Sequence, residues 1–240
     1  MRHWRIKSEA RRNVCGFTLI ELLVVIAVIG ILAGILLPVL SRAKAAGRSA
    51  ACKSNLRQQS IGLRIYLEDC EQYPFWQTWT AEGRLAWDKS VLEKSGGQAD
   101  IFLCPGMKKR LLWTGAFNPS YGYNLCGTAG TGPFDVALGL GGAIGPLPEG
   151  TTTYRPMREA EILVPSEMIA IGDYPEDPNQ QGEIAFHNKY NYIADRHNGG
   201  GNVTFCDGHV EYDKQSNWMK ESDGARRRWN RDNEPHPETW

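Results

Sequence analysis

The 240-residue sequence predicts an α+β protein in which a long N-terminal helix, membrane-spanning and then amphipathic, packs on a small antiparallel β-sheet head. Three observations predict it. Residues 17–40 form an apolar run with a single charge, Glu21. Residues 41–70 then repeat small and apolar side chains at alternating steps of four and three. Near the C-terminal end, two short β-rich runs flank Asp207-Gly208, the local signal of a hairpin.

The 24 residues of the apolar run would span about 36 Å as a helix, against a hydrocarbon core of about 30 Å. Inside a bilayer the backbone must satisfy itself, so a helix is the form such a run takes. An ionised carboxylate there costs about 2.5–3.5 kcal/mol at mid-membrane depth and less near the interface, so Glu21 predicts a partner. A secretory signal peptide is the simpler reading, with Ala43-Lys44-Ala45 as its cleavage site. Its apolar core is only about 7 to 15 residues, however, and a glutamate is foreign to it. Arg2, Arg5, Lys7, Arg11 and Arg12 balance Arg42, Lys44, Arg48, Lys53 and Arg57 on the other side, so charge sets no orientation.

The stripe of Ala45, Ser49, Cys52, Leu56, Gln59, Leu63, Tyr66 and Cys70 continues the helix to about residue 68. Arg48, Lys53, Arg57 and Arg64 take the opposite face. Pro38 predicts a kink or a local loosening. Gly30-x-x-x-Gly34 offers a face for close helix contact, though lipid-facing glycines read equally well.

Residues 71–165 carry Trp76, Trp79, Trp87 and Trp113, then a Gly-rich run over 127–150, and read as loops and short elements. The tryptophans are expected to cover one side of a thin sheet, in preference to forming a carbohydrate-stacking surface. The glycines lack the strand, lysine and helix of a phosphate loop. Residues 167–173 read as a buried strand, and 202–206 and 209–212 as the hairpin strands around Asp207-Gly208.

Lys and Arg number 27, as do Asp and Glu, and mean hydropathy is −0.40 in spite of the apolar helix. The remainder is therefore polar, enough for one globular domain of about 170 residues. Zero net charge makes no electrostatic case for a nucleic-acid partner. His3, His187, His197, His209 and His236 stand in no nucleophile–base–orienter set, so no enzyme is expected.

Basic residues followed by Gly16-Phe17-Thr18-Leu19-Ile20-Glu21 and an apolar helix resemble the N-terminus of type IV prepilins and type II secretion pseudopilins. The resemblance implies a pilin-like fold and cleavage after Gly16 by a prepilin peptidase, which then methylates Phe17. It implies that the new Phe17 amine of one subunit pairs with Glu21 of its neighbour, since either charge alone is costly in low dielectric. The organisation that follows is a leader at 1–16, an assembly helix at 17–40, its amphipathic continuation at 41–70, a head at 71–217 and a solvated polar tail at 218–240. Partners would be other pilin-like subunits and the inner-membrane assembly machinery. The chain would sit single-pass in the inner membrane with its head in the periplasm or outside, entering a type IV pilus or type II secretion pseudopilus-like filament. The other function in view is an anchored envelope protein that binds a glycan and never assembles.

His197, nine residues, then Asp207-Gly208 is similar to the H-x9-DG signature of a prepilin-type family. Cys52-x-x-Asn55-Leu56, Cys104-Pro105 and Tyr121-Gly122-Tyr123-Asn124 look like further segments of it. As metal candidates, Asp173, Asp195, His197 and Asp207 offer a carboxylate-rich set for calcium, or His197 and His209 with one carboxylate for zinc. Turn chemistry alone accounts for Asp207-Gly208, with His197 bonding the loop at 199–201, and that reading is preferred. No cofactor is otherwise expected. In the oxidising surroundings of an exported head, Cys52 and Cys70 cannot bond each other, being about 27 Å apart on one helix. Each would need Cys104, Cys126 or Cys206.

Overall fold

The computed structural model describes residues 18–75, 77–80, 83–107, 120–128, 138–141, 143–146, 152–155, 157–175, 183–184 and 192–239. Gly16, Phe17, Trp76, Trp113, His3, His187 and much of the Gly-rich run lie outside them. The elements are α1 (Leu19–Cys70), β1 (Gln77–Thr80), β2 (Gly83–Ala86), α2 (Trp87–Lys94), β3 (Tyr121–Asn124), β4 (Ala143–Pro146) and β5 (Thr152–Arg155), followed by β6 (Ile169–Asp173), β7 (Glu183–Ile184), β8 (Gly200–Phe205), β9 (Val210–Lys214), α3 (Gln215–Trp218) and α4 (Asp223–Arg227). This is the α+β arrangement that the sequence predicts: a long helix, then a small, mainly antiparallel sheet.

The chain divides into two compact units between Ala43 and Lys44. In the first, α1 runs helical straight through Pro38, with Leu, Ile and Val side chains exposed on all sides. By length and composition this stretch can cross a membrane. In lipid, the donor that Pro38 lacks is tolerated by local adjustment, and the helix continues past it without interruption.

In the second unit, α1 buries Cys52, Leu56, Gln59, Ser60, Gly62, Leu63 and Leu67. The predicted stripe is buried from Cys52 through Leu63; before it Ala45 is exposed and Ser49 half-buried, and after it burial shifts by one residue, leaving Tyr66 half-buried and Cys70 exposed. Glu71 closes the helix in the left-handed region (φ 56°), its N–H bonded to Leu67 O at 2.8 Å.

The central sheet has the order β7-β3-β6-β8-β9, with only β3–β7 parallel. β1–β2 and β4–β5 are separate antiparallel pairs. β6 is buried along its whole length because the sheet is covered on both faces. One core joins Leu56, Leu63 and Leu67 of α1 to Trp87, Phe102, Tyr121 and Tyr123, with Trp87 stacked on Tyr123 at 5.4 Å. The other joins Ile169, Val203 and Phe205 to Trp218 and Trp229. Ile169 belongs to the second core and Ala170 and Ile171 to the first, because the register shift between Ile169 and Ile171 breaks the alternation that would put those two on one face. Trp87, Trp218 and Trp229 are 1%, 3% and 0% exposed, so none of these three offers a stacking surface to a glycan.

Two expectations are corrected here. The segment after Trp218 is no solvated tail. Trp229 and Asn230 are buried, and main-chain bonds tie Arg228 to Ile169, Arg231 to Leu138 and Leu163 to Arg231. Its charge-rich composition hid the apolar anchors that hold it. Nor is the hairpin a two-residue Asp-Gly turn. Gly208 N–H bonds Phe205 O and Phe205 N–H bonds His209 O, and of the loop residues only Gly208 has positive φ (96°). This is a three-residue loop with a glycine bulge, which leaves Asp207 in ordinary backbone geometry.

Candidate functional site

At the start of α1, Thr18 is the last described residue before the helix. Its N–H and hydroxyl donate to Glu21 Oε2 at 2.8 and 2.7 Å, and Glu21 N–H donates to Thr18 Oγ1 at 3.3 Å. This reciprocal capping box satisfies amides that the first turn leaves open. It gives Glu21 a partner within its own helix, and Thr-x-x-Glu before an apolar run carries its signature in sequence.

The second site lies in the head, where four segments converge. Asn55 Nδ2 of α1 donates to Leu103 O at 3.1 Å and to the Tyr121 hydroxyl at 3.3 Å. One turn on, Gln59 Nε2 donates to Ile101 O at 2.8 Å. These amides hold the segment 101–103 along α1 and bring Cys104 opposite Cys52, three residues before Asn55. Cys52 and Cys104 are joined as a disulfide, with Cα atoms 5.4 Å apart. Cys70, Cys126 and Cys206 stay outside that bond.

Against the sulfurs lies His197. Its ring sits on a tight turn in which His197 N–H bonds Gly200 O at 3.0 Å and Gly199 N–H bonds Asp195 O at 3.0 Å. Asn198 and Gly199, both at positive φ, shape that turn. His197 Nε2 is 3.2 Å from Cys104 Sγ and 3.4 Å from Asp173 Oδ2. A Cβ on Gly106 would meet His197 Cε1 at 2.8 Å, so only glycine lets the Cys104-Pro105-Gly106 turn approach the ring.

Asp173 ends β6 with no exposure. Its Oδ2 accepts Asn202 N–H at 2.7 Å and Asn202 Nδ2 at 3.0 Å. Asp173 Oδ1 has no hydrogen-bond partner among the described residues. Burial, and then the Asp173 charge, push the Tyr121 hydroxyl well above its usual range. One ligand atom from each of Cys52, Cys104, Asp173 and His197 lies within 4.8 Å of the other three.

Of the metal candidates read from sequence, Asp173 and His197 meet, while Asp195 and Asp207 do not join them. Asp195 is exposed in the turn. Asp207 Oδ1 instead accepts His209 N–H at 3.1 Å and faces His209 Nδ1 at 2.6 Å, which separates His209 from His197 as well. Gly208 O accepts the Ser60 hydroxyl at 3.3 Å. Ser60 lies eight residues, about 12 Å, along α1 from Cys52, so the hairpin tip is remote from the cluster. His197 and Gly200 exchange main-chain bonds, while the His197 ring faces Cys104 and Asp173. Cys52 and Cys104 had no place in the metal sets, because their separation of 52 residues hides their meeting.

Residues 11–37 match the family model for the prokaryotic N-terminal methylation motif. No curated protein and no solved structure matches the chain. The motif supports a type IV prepilin-like protein, and with the apolar helix it fits a membrane-anchored, single-pass chain that a peptidase processes.

Proposed function

We propose that this protein is a pilin-like (pseudopilin) structural subunit. Prepilin peptidase cleaves it after Gly16 and methylates Phe17. It waits in the inner membrane with its head on the periplasmic or outer side, then packs its helix into a type IV pilus or type II secretion pseudopilus-like filament. The observation that carries this is a single acid, Glu21, five residues past Gly16 in an otherwise apolar helix within the matched motif. A partner amine on the adjoining copy relieves the penalty of that acid in lipid. The role is structural and not catalytic. H-x9-DG belongs to the head's construction, with His197 in the buried cluster and Asp207-Gly208 in the hairpin loop. Mass spectrometry of the mature chain tests the reading: it should begin at methylated Phe17. A chain that keeps Met1, or is trimmed past Ala45, overturns it.

A further inference from the structure

We propose that the head, once Cys52 and Cys104 are reduced, binds one zinc ion through Cys52 Sγ, Cys104 Sγ, His197 Nε2 and the Asp173 carboxylate. The inference is independent of filament assembly. It rests on four donors from four segments, each at most 4% exposed, with ligand atoms within 4.8 Å of one another. Two sulfurs, an imidazole nitrogen and one carboxylate are a tetrahedral zinc set, and they are too soft and too few for calcium.

Two edges of the tetrahedron are already near their zinc-bound lengths. With Zn–N and Zn–O bonds near 2.0–2.2 Å and Zn–S near 2.3 Å, tetrahedral angles give N···O of about 3.4 Å and S···N of about 3.5 Å. The structure has 3.4 Å from His197 Nε2 to Asp173 Oδ2 and 3.2 Å from His197 Nε2 to Cys104 Sγ. What remains is for the sulfurs to part to about 3.8 Å once their bond is opened.

The surroundings suit charged ligands. Gly106 N–H points to Cys104 Sγ at 3.3 Å, a contact that favours a thiolate, and Asn202 fixes the carboxylate from outside. Asp173 Oδ1, buried and without a hydrogen-bond partner among the described residues, leaves the carboxylate acceptor capacity that Asn202 does not use. Arg196 stands close enough to act on Tyr121 in opposition to Asp173, and its Nε and Nη1 are themselves buried without partners among the described residues. Its positive charge offsets the single negative charge that zinc, two thiolates and one carboxylate leave.

A small dithiol gives two electrons and two protons to the Cys52–Cys104 bond and leaves as its own cyclic disulfide. Zinc then replaces the two thiol protons, which pass to solvent, while His197 binds neutral and Asp173 ionised.

The test uses the full chain in detergent, oxidised and reduced, titrated with zinc against a chromophoric chelator and separately with cobalt. The reduced chain should take up one equivalent and the oxidised chain none. Cobalt should show thiolate-to-metal charge transfer and the intense d–d bands of a tetrahedral site. Asp173→Asn and His197→Gln should each weaken uptake at least about tenfold, whereas Cys70→Ser should not change it. If the reduced chain unfolds, one equivalent of zinc should restore its near-ultraviolet circular dichroism. Uptake equal in both redox states, cobalt spectra without thiolate bands, or a reduced chain that neither binds zinc nor refolds with it would overturn the proposal.

Discussion

Glu21 and Asp173 are both acids set among apolar residues, and they are satisfied in opposite ways. Glu21 lies on an exposed helix, where its contacts within the chain come from Thr18, three residues away. Asp173 has no exposure and gathers His197, Asn202 and two sulfurs from three other segments. A buried carboxylate must find its partners when the head folds, because an uncompensated charge in a dry interior destabilises by several kcal/mol. An exposed carboxylate on a membrane helix can leave that need open for another copy to meet. Asp173 therefore bears on the stability of the head, and Glu21 on the assembly proposed above.

The largest expected effect separates the two. Glu21→Val should abolish incorporation into filaments, read by sedimentation of sheared cell-surface material, while the urea midpoint of the head stays unchanged. A fall in that midpoint would mean that the two acids are not independent. Asp173→Leu should do the reverse. It strands two Asn202 donors and the His197 ring, and should cost about 3–5 kcal/mol in urea denaturation of the oxidised chain without zinc. A loss below about 1 kcal/mol would show that the carboxylate is not held as an ion.

Cys206 probes the same dry core that holds Cys52 and Cys104. Burial, and beyond it the charge of Asp207, push its thiol from 9.0 up to about 12, against a hydrogen bond from Tyr73 that lowers it. With the folded value raised, the stabilisation is complete below about pH 9 and is lost as pH climbs towards 12. Cys206 should therefore contribute up to about 4 kcal/mol of the fall in unfolding free energy over that range, beside the buried hydroxyls of Tyr73, Tyr121 and Tyr123, and Cys206→Ala should make the slope shallower by that share. An unchanged slope in the variant would place the titration elsewhere.

How far each acid can be read from sequence follows from the same contrast. One charge in 24 apolar residues stands out by itself, and helix, hairpin and fold class follow from periods of 3.6 and 2. The cluster does not stand out. Sequence grouped Asp173 and His197 with Asp195 and Asp207, neighbours along the chain, whereas their partners are Cys52 and Cys104 from more distant segments. A usable signal was nonetheless present in Gln59, a polar residue on the apolar stripe, and in Asn55 beside that stripe. Amides placed there must bind something, and what they bind is the strand of chain that delivers Cys104. The C-terminal segment was misread for a related reason. Arg226, Arg227 and Arg228 dominate its composition, yet Trp229, Asn230 and Arg226 itself are buried.

The smallest effect is the sharpest test of what Glu21 is for. Thr18→Ala removes the hydroxyl that gives to and receives from Glu21 but leaves the carboxylate in place. As the loss of a helix cap it should cost about 0.5–2 kcal/mol, felt as fraying of the first turn. If Glu21 serves chiefly its own helix, the variant should reproduce the assembly defect of Glu21→Val. If its essential partner is the amine of an adjoining copy, filaments should form at close to the normal level, because a carboxylate released from Thr18 is freer to meet that amine. The second outcome is expected, since one cap is worth less than an unpaired carboxylate in lipid. Filament yield in Thr18→Ala, measured beside Glu21→Val in the same cells, decides between them.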